Sequence, residues 1–395
     1  MKLLSLSFDH VNLFEDGAFG IDFFAGDKVP AGDESVTLLE KPLYINNVVA
    51  LAGINASGKT TALRLITLAL AIIQGGIAVL PPFAAGVEDL FAAPPCMKAV
   101  LWEGGEILVL ECTLAYQNTT ITASLNRSFS FVEEVLYRFR GVPTKSLLIQ
   151  GADSLIARSE EVMRRSTLDE TSRQFLADNV SIMTSRKDSL CYGCHVAGDA
   201  PLPPSDSLSD TVDILRAFDP EIEYLNTLED GNLFELKFSR DKTPSTLSRV
   251  ELERALSSGT LRGLSIVQSA VFALAFGGYF LLDEIENHLN KQLVNVIIDL
   301  FVHEDTNPHG AVLVFTTHYP EILDSVHRKD CVYFLTHEAD GRTGIVKYSD
   351  RIKRIENKKS EVFLSNYIKG TAPRFTDVVA LKAFAKSVIE GARHE

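Results

Sequence analysis

The stretch Gly53-Ile54-Asn55-Ala56-Ser57-Gly58-Lys59-Thr60-Thr61 constrains this chain more than any other. It fits G-x-x-x-x-G-K-[ST], the Walker A phosphate loop, and its flanks are those the loop requires. The apolar run Val48-Val49-Ala50-Leu51-Ala52 reads as a short buried strand, and an apolar helical pattern begins at Thr61 and continues to about Ile73. Strand, glycine loop and helix together let backbone N–H groups turn inward on phosphate oxygens, at a helix end that adds positive potential. Gly53, Asn55, Ala56, Ser57, Gly58 and Thr61 then shape the cradle, Lys59 reaches the β- and γ-phosphates, and the Thr60 hydroxyl ligates Mg²⁺.

A chain of 395 residues can bury a large core, and 46% hydrophobic with 23% charged residues is ordinary for a soluble globular protein. The net charge of −14 argues against a surface that coats nucleic acid wholesale. Met1-Lys2-Leu3-Leu4-Ser5 lacks the apolar run of a signal peptide, and the five cysteines are odd in number, so reduced thiols and a cytoplasmic location are expected. Leu65–Leu80 and Leu264–Leu282 are apolar, but glutamine and glycine pairs interrupt both. Each reads as buried helix, the second with a buried strand after it, and no membrane partner is expected.

Along the chain, residues 2 to 24 alternate as strands around a turn at Glu15-Asp16-Gly17, and Gly26 to Ser35 reads as loop. From Met97 to about Gln150, period-two runs separated by Glu103-Gly104-Gly105 and Gln117-Asn118 predict an antiparallel sheet beside the nucleotide core. Ser159 to Asp188 has a helical pattern, and Ala200 to Asp210 reads as a flexible linker. The expected division is therefore an N-terminal lobe, 1–150, a helical insertion, 151–210, and a C-terminal lobe, 211–395.

A second motif completes the first. The apolar run Tyr279-Phe280-Leu281-Leu282 ends in Asp283-Glu284, the Walker B arrangement: Asp283 meets Mg²⁺ and Glu284 holds or deprotonates an attacking water. Another apolar run, Val312-Leu313-Val314-Phe315, ends in Thr316-Thr317-His318, and a histidine at such a strand end can reach the γ-phosphate. Between the two motifs, Leu256-Ser257-Ser258-Gly259-Thr260 leads into the helix Leu261 to Phe276, offering hydroxyl and N–H donors to an anion.

This order of motifs resembles the ABC-type ATPase heads, with "LSSGT" where those heads carry the "LSGGQ" signature loop. "GINASGKTT", "LSSGTLRGL", "LLDEIENHLN", "VFTTHYPEIL" and the tail "FLSNYIKGTAP" look like the SMC-like and OLD-like bacterial ATPases, many of them found in phage-defence operons. The resemblance covers nearly all of the chain outside 151–210. It implies an α/β P-loop NTPase with an ABC-type head, a flanking antiparallel sheet and a helical insertion. It also implies ATP and Mg²⁺ as ligands and a head-to-head homodimer with ATP sandwiched between subunits. In that arrangement Glu284 is the catalytic base, His318 the switch, and Ser258 and Gly259 act on the partner's nucleotide. Asn287 and His288 fall in the stretch used for inter-subunit signalling. "SLLIQGADS" resembles the Q-loop of SMC-like repair ATPases, making Gln150 a ligand to Mg²⁺ or water, with Gln74 and Gln117 as competitors. No second catalytic constellation is visible, so a regulatory ATPase controlling a separate toxin or nuclease is the expected role. A repair-type ATPase binding DNA directly is the alternative.

Two features stand apart. Cys191-x-x-Cys194-His195 matches a haem attachment pattern, which would need export. It also resembles the zinc hook of SMC-like repair ATPases, in which Cys191 and Cys194 would share Zn²⁺ with a second chain; idle thiols are the plain alternative. Lys347, Arg351, Lys353, Arg354, Lys358 and Lys359 form a basic run that reads either as a solvated helix face or as a contact for nucleic acid or an acidic partner.

Overall fold

The computed structural model describes residues 1–77, 82–121, 124–189, 193–196, 212–228, 232–287, 289–338, 340–353, 358–371 and 375–391. Strand β1 (Lys2–Asp9) folds back antiparallel on β2 (Ala18–Asp22) through a short 3₁₀ segment at Glu15–Gly17. β3 (Val36–Glu40) and β4 (Leu43–Asn46) make a hairpin that the sequence reading leaves unassigned. β5 (Val48–Gly53) is buried at every position, as a strand covered on both faces must be, and leads through the phosphate loop into the helix Lys59–Ile73.

β6 (Cys96–Glu103), β7 (Glu106–Ile121) and β8 (Ser124–Phe139) run antiparallel, the first turn falling at the expected Gly104-Gly105. Gln117 and Asn118 do not turn. They lie inside β7, paired with Ser128 and Arg127, because a continuing ladder satisfies backbone groups that a turn would expose.

The expected helix over Ser159–Asp188 is also corrected. β9 (Glu160–Arg164) adds to the edge of β8, where Glu160 meets Arg138 and Arg140 at 3.7 and 2.9 Å. Charges of this segment are partly cross-strand pairs. The short helices Ala152–Ile156 and Glu170–Phe175 and the 3₁₀ segments Arg165–Thr167 and Ile182–Ser189 accompany β9. β10 (Gly193–Val196) then enters the central sheet, so residues 151–196 contribute a strand to each large sheet instead of forming a separate helical body. The predicted linker, Ala200 to Asp210, lies outside the described residues.

β11 (Ile222–Thr227), β12 (Leu233–Phe238) and β13 (Ser245–Ser248) form a small antiparallel sheet with its own apolar cluster, including Leu215, Phe234, Leu252 and Leu264. The helix Ser258–Phe276 follows. Among the described residues it is the one helix long and apolar enough to cross a membrane by length and composition, yet Leu264, Ile266, Ala270 and Ala273 are buried within the protein. β14 (Tyr279–Leu282), β15 (Val312–Thr317), β16 (Val332–His337) and β17 (Thr343–Lys347) complete the central sheet, in the order β10-β14-β15-β5-β16-β17. All neighbours pair parallel except β16 and β17.

The antiparallel sheet, in the order β2-β1-β6-β7-β8-β9, shares one apolar core with the central sheet, in which Leu6 and Phe8 join Leu51 and Leu68. Truncating one such leucine to alanine costs about 2–5 kcal/mol. Polar stitches fix the sheets where they meet. The Tyr279 hydroxyl accepts from Leu3 N–H at 2.7 Å and donates to Leu3 O at 3.2 Å, while Lys2 Nζ donates to the carbonyls of Gly277 and Gly310. Parallel β14, β15 and β5 thus end on one side of the sheet, and the motif residues collect there.

Candidate nucleotide site

The phosphate loop needs its glycines for two different reasons. Gly58 has φ +85°, and a Cβ there would lie 2.8 Å from Leu13 Cδ2. At Gly53 a Cβ would meet the Ser57 hydroxyl and approach Leu335 O to 2.8 Å. One glycine supplies a left-handed turn and the other close approach. Ala56 also takes a positive φ of 61°. Thr343 Oγ1 braces the loop from β17 by donating to Ser57 O at 3.2 Å.

Lys59 is 6% exposed and its ammonium curls onto the loop, donating to Gly53 O and Ile54 O at 2.9 Å each. Burial pushes this lysine below its usual range, against the opposing pull of Glu284, Asp283 and Glu286. An ammonium so placed gains from an incoming phosphate, which offers oxygens where the loop now offers carbonyls. Ser57 Oγ is buried without a hydrogen-bond partner among the described residues.

Register in the central sheet delivers the acids. Leu282 pairs with Phe315, so Asp283 and Thr316 both lie just beyond that pair. Thr60 Oγ1, in the first turn of the loop helix, donates to Asp283 Oδ2 at 2.8 Å, although 223 residues separate the two. A hydroxyl and a carboxylate converging in this way form the hard-oxygen set that Mg²⁺ takes, and these two residues fit the ion. Glu284 follows in a left-handed conformation, φ 49°, with its N–H on Thr316 Oγ1 at 2.7 Å.

His318 is held by a residue that the motif reading passes over. Glu286 Oε1 accepts the His318 backbone N–H at 2.8 Å and lies 2.7 Å from the ring Nδ1, a close approach not aligned as a hydrogen bond. The Glu286 side chain is 4% exposed, and its second oxygen has no hydrogen-bond partner among the described residues. Tyr319 packs on the imidazole at 4.3 Å between centroids. The signal for Glu286 was the spacing in Asp283-Glu284-Ile285-Glu286, a third carboxylate following the acid pair.

Other expected residues stand elsewhere. Ser257, not Ser258, caps the helix Ser258–Phe276 by accepting from Thr260 N–H at 3.0 Å. Ser258 is exposed, and no hydrogen bond joins it or Gly259 to the phosphate loop among the described residues. Gln150 is exposed at the end of the short helix Lys145–Ile149, and no hydrogen bond brings it to Thr60 or Asp283. Gln74 caps the far end of the loop helix, about 22 Å along the axis from Lys59 at 1.5 Å per residue, which removes it as a metal ligand. Gln117 is mid-strand in β7. Asn287 donates its N–H to Glu284 O at 2.8 Å, and His288 lies outside the described residues.

Cys191 also lies outside them. Cys194 and His195 belong to β10, paired with Phe280 and Leu281, so they occupy a strand of the central sheet and not the tip of a projecting hook. No group of three or more potential metal-ligating side chains occurs among the described residues. The basic run is divided between internal contacts and exposed positions. Lys347 pairs with Asp22 at 2.9 Å and the half-buried Lys359 donates to Val326 O at 2.8 Å, while the exposed Lys353 donates locally to Ser349 O at 2.9 Å. Arg354 lies outside the described residues, while Arg351 and Lys358 are exposed.

Residues 124–324, just over half of the 395, match the profile of a family described as "AAA domain, putative AbiEii toxin, Type IV TA system". The chain belongs to this AAA family. The matched span holds the Asp283-Glu284 pair and His318, and the phosphate loop precedes it. Family membership supports an ATP-binding P-loop protein of a family whose members are typically ATPases using Mg²⁺, and the Thr60–Asp283 pair fits that ion. Among solved structures, this AAA protein is similar to the SMC head domain from Thermotoga maritima at 14% identity, over 88% of this chain and 99% of that one, with a TM-score of 0.39. No curated protein matches it.

Proposed function

We propose that the protein is a nucleotide-gated switch. It binds ATP with Mg²⁺ at the phosphate loop, closes against a second copy of itself, hydrolyses the nucleotide and reopens, thereby controlling a separate effector. The observation that carries the ATPase part is the Thr60–Asp283 contact of 2.8 Å, with Glu284 on the adjoining turn. In this scheme Lys59 and the loop N–H groups hold the phosphates, and bound Mg²⁺ would screen their charge. Glu284 takes the proton of the attacking water, and His318, held by Glu286, senses the γ-phosphate. The exposed Ser258 and the half-buried Gly259, at the start of their helix, would face the nucleotide of the partner subunit.

The effector reading, a toxin or nuclease in phage defence, rests on the lack of a second catalytic constellation in the sequence and agrees with the toxin–antitoxin wording of the family description. Direct DNA binding is less favoured, since Lys347 and Lys359 serve contacts within the fold and the net charge is −14. The deciding experiment is phosphate release from ATP with Mg²⁺ by the purified protein beside Lys59→Ala, with light scattering of both. A parent that neither turns over ATP nor changes its association with nucleotide would sink the proposal. Co-purification with the product of the neighbouring gene tests the effector.

A further inference from the structure

The Thr316 side chain is fully buried, and both directions of its hydroxyl are used. Oγ1 donates to Asp283 Oδ1 at 2.5 Å and accepts the Glu284 N–H at 2.7 Å, while the Thr316 carbonyl accepts the Ile285 N–H at 3.1 Å. A hydroxyl has one proton to give, and here it goes to one carboxylate oxygen. That choice leaves Asp283 Oδ2 turned to Thr60. The bond from Glu284 fixes the residue that takes φ 49°, a conformation a glutamate holds only when its surroundings over-determine it.

We propose that Thr316 is the positioning residue of this site: one hydroxyl sets both the rotation of the Asp283 carboxylate and the backbone direction of Glu284. Thr316 touches neither metal nor nucleotide in this assignment and acts through the two acids. The inference rests on the ATPase reading, but part of its test does not.

Thr316→Val keeps the shape and removes the hydroxyl, whereas Thr316→Ser keeps the hydroxyl. Mn²⁺ serves as the probe, its binding to the complex of protein and a fluorescent ADP followed by electron paramagnetic resonance. Affinity for that ADP without metal is measured in parallel. Thr316→Val is expected to weaken Mn²⁺ binding and lower kcat by about 10- to 100-fold, the usual cost of losing a group that orients a metal ligand. Metal-free ADP affinity should stay unchanged, and Thr316→Ser should recover both properties. Mn²⁺ affinity and kcat within about twofold of the parent in Thr316→Val would overturn the proposal, given that orienting groups matter tenfold or more. If Thr316→Val also loses metal-free ADP binding, the comparison passes to Thr316→Ser and Thr316→Cys. A cysteine donates only weakly, so equal deficits in these two would overturn the proposal and recovery by serine alone would support it. A parent that binds Mn²⁺ and ADP without hydrolysing ATP would refute the ATPase reading and leave the Mn²⁺ result to judge Thr316.

Discussion

The seam between the phosphate loop and the acid turn contrasts with the start of the helix Ser258–Phe276. The seam is tied across the chain: Thr60 to Asp283, Thr316 to Asp283 and Glu284, and Glu286 to His318. The helix start is satisfied locally by Ser257 and Thr260, leaves Ser258 exposed, and is backed by a small separate cluster around Phe234 and Leu252. One region is joined by contacts between distant segments of the chain, while the other presents polar groups outward. Under the proposed switch, holding nucleotide and completing the reaction are separable, a division that mutations can probe.

The largest effect is expected at the seam. Glu284→Gln should lower ATP turnover by about 10²- to 10⁴-fold, the range for losing a positioned general base, while nucleotide binding survives. Steady-state kinetics beside equilibrium binding of a fluorescent nucleotide checks this, and equal loss of both would erase the contrast. Next comes the outward region. Ser258→Arg should cut turnover by about 10²-fold, as for removal of a transition-state donor, and should abolish nucleotide-dependent association in light scattering. Its affinity for nucleotide as a single subunit should match the parent, and a parallel fall in that affinity would show that Ser258 acts within its own chain.

Phe234→Ala removes a fully buried ring and should destabilise the small lobe by about 3–5 kcal/mol. Hydrogen exchange should rise in β11, β12 and β13 and stay at parent level in β5 and β14. Uniform acceleration would mean that the two regions unfold as one. The smallest effect is a control lying in neither region. His303 Nδ1 lies 2.9 Å from Glu34, and that carboxylate raises the imidazole pKa. With the folded value above the unfolded one, the pair stabilises fully below the unfolded pKa and is lost as pH rises through the folded pKa. Both groups are about half exposed, so a slight decline in Tm across that window is expected, absent in His303→Gln, with no change in turnover.

Much of the site is legible locally because its chemistry needs contiguous residue types. The loop must carry glycines beside a lysine and a hydroxyl, and the acid pair must terminate a buried strand. Those segments lie where the pattern puts them, from Val48–Gly53 into Lys59–Ile73 and from Tyr279–Leu282 into Asp283. The errors fall where long-range pairing outweighs local preference. Gln117-Asn118 is good turn material, but β8 supplies a ladder partner; Glu160 to Arg164 could belong to a helix, but the edge of β8 captures them.

From its residues alone this chain is a P-loop protein with an acid pair and a strand-end histidine, since each motif is written in adjacent positions and works through its own backbone. Only the tertiary structure decided that Thr316 and Glu286 belong with those motifs, and that β9 and β10 join the two large sheets. Such contacts depend on strand order and register, which arise when distant segments compete for the same ladder and the same core. No local pattern encodes the outcome of that competition.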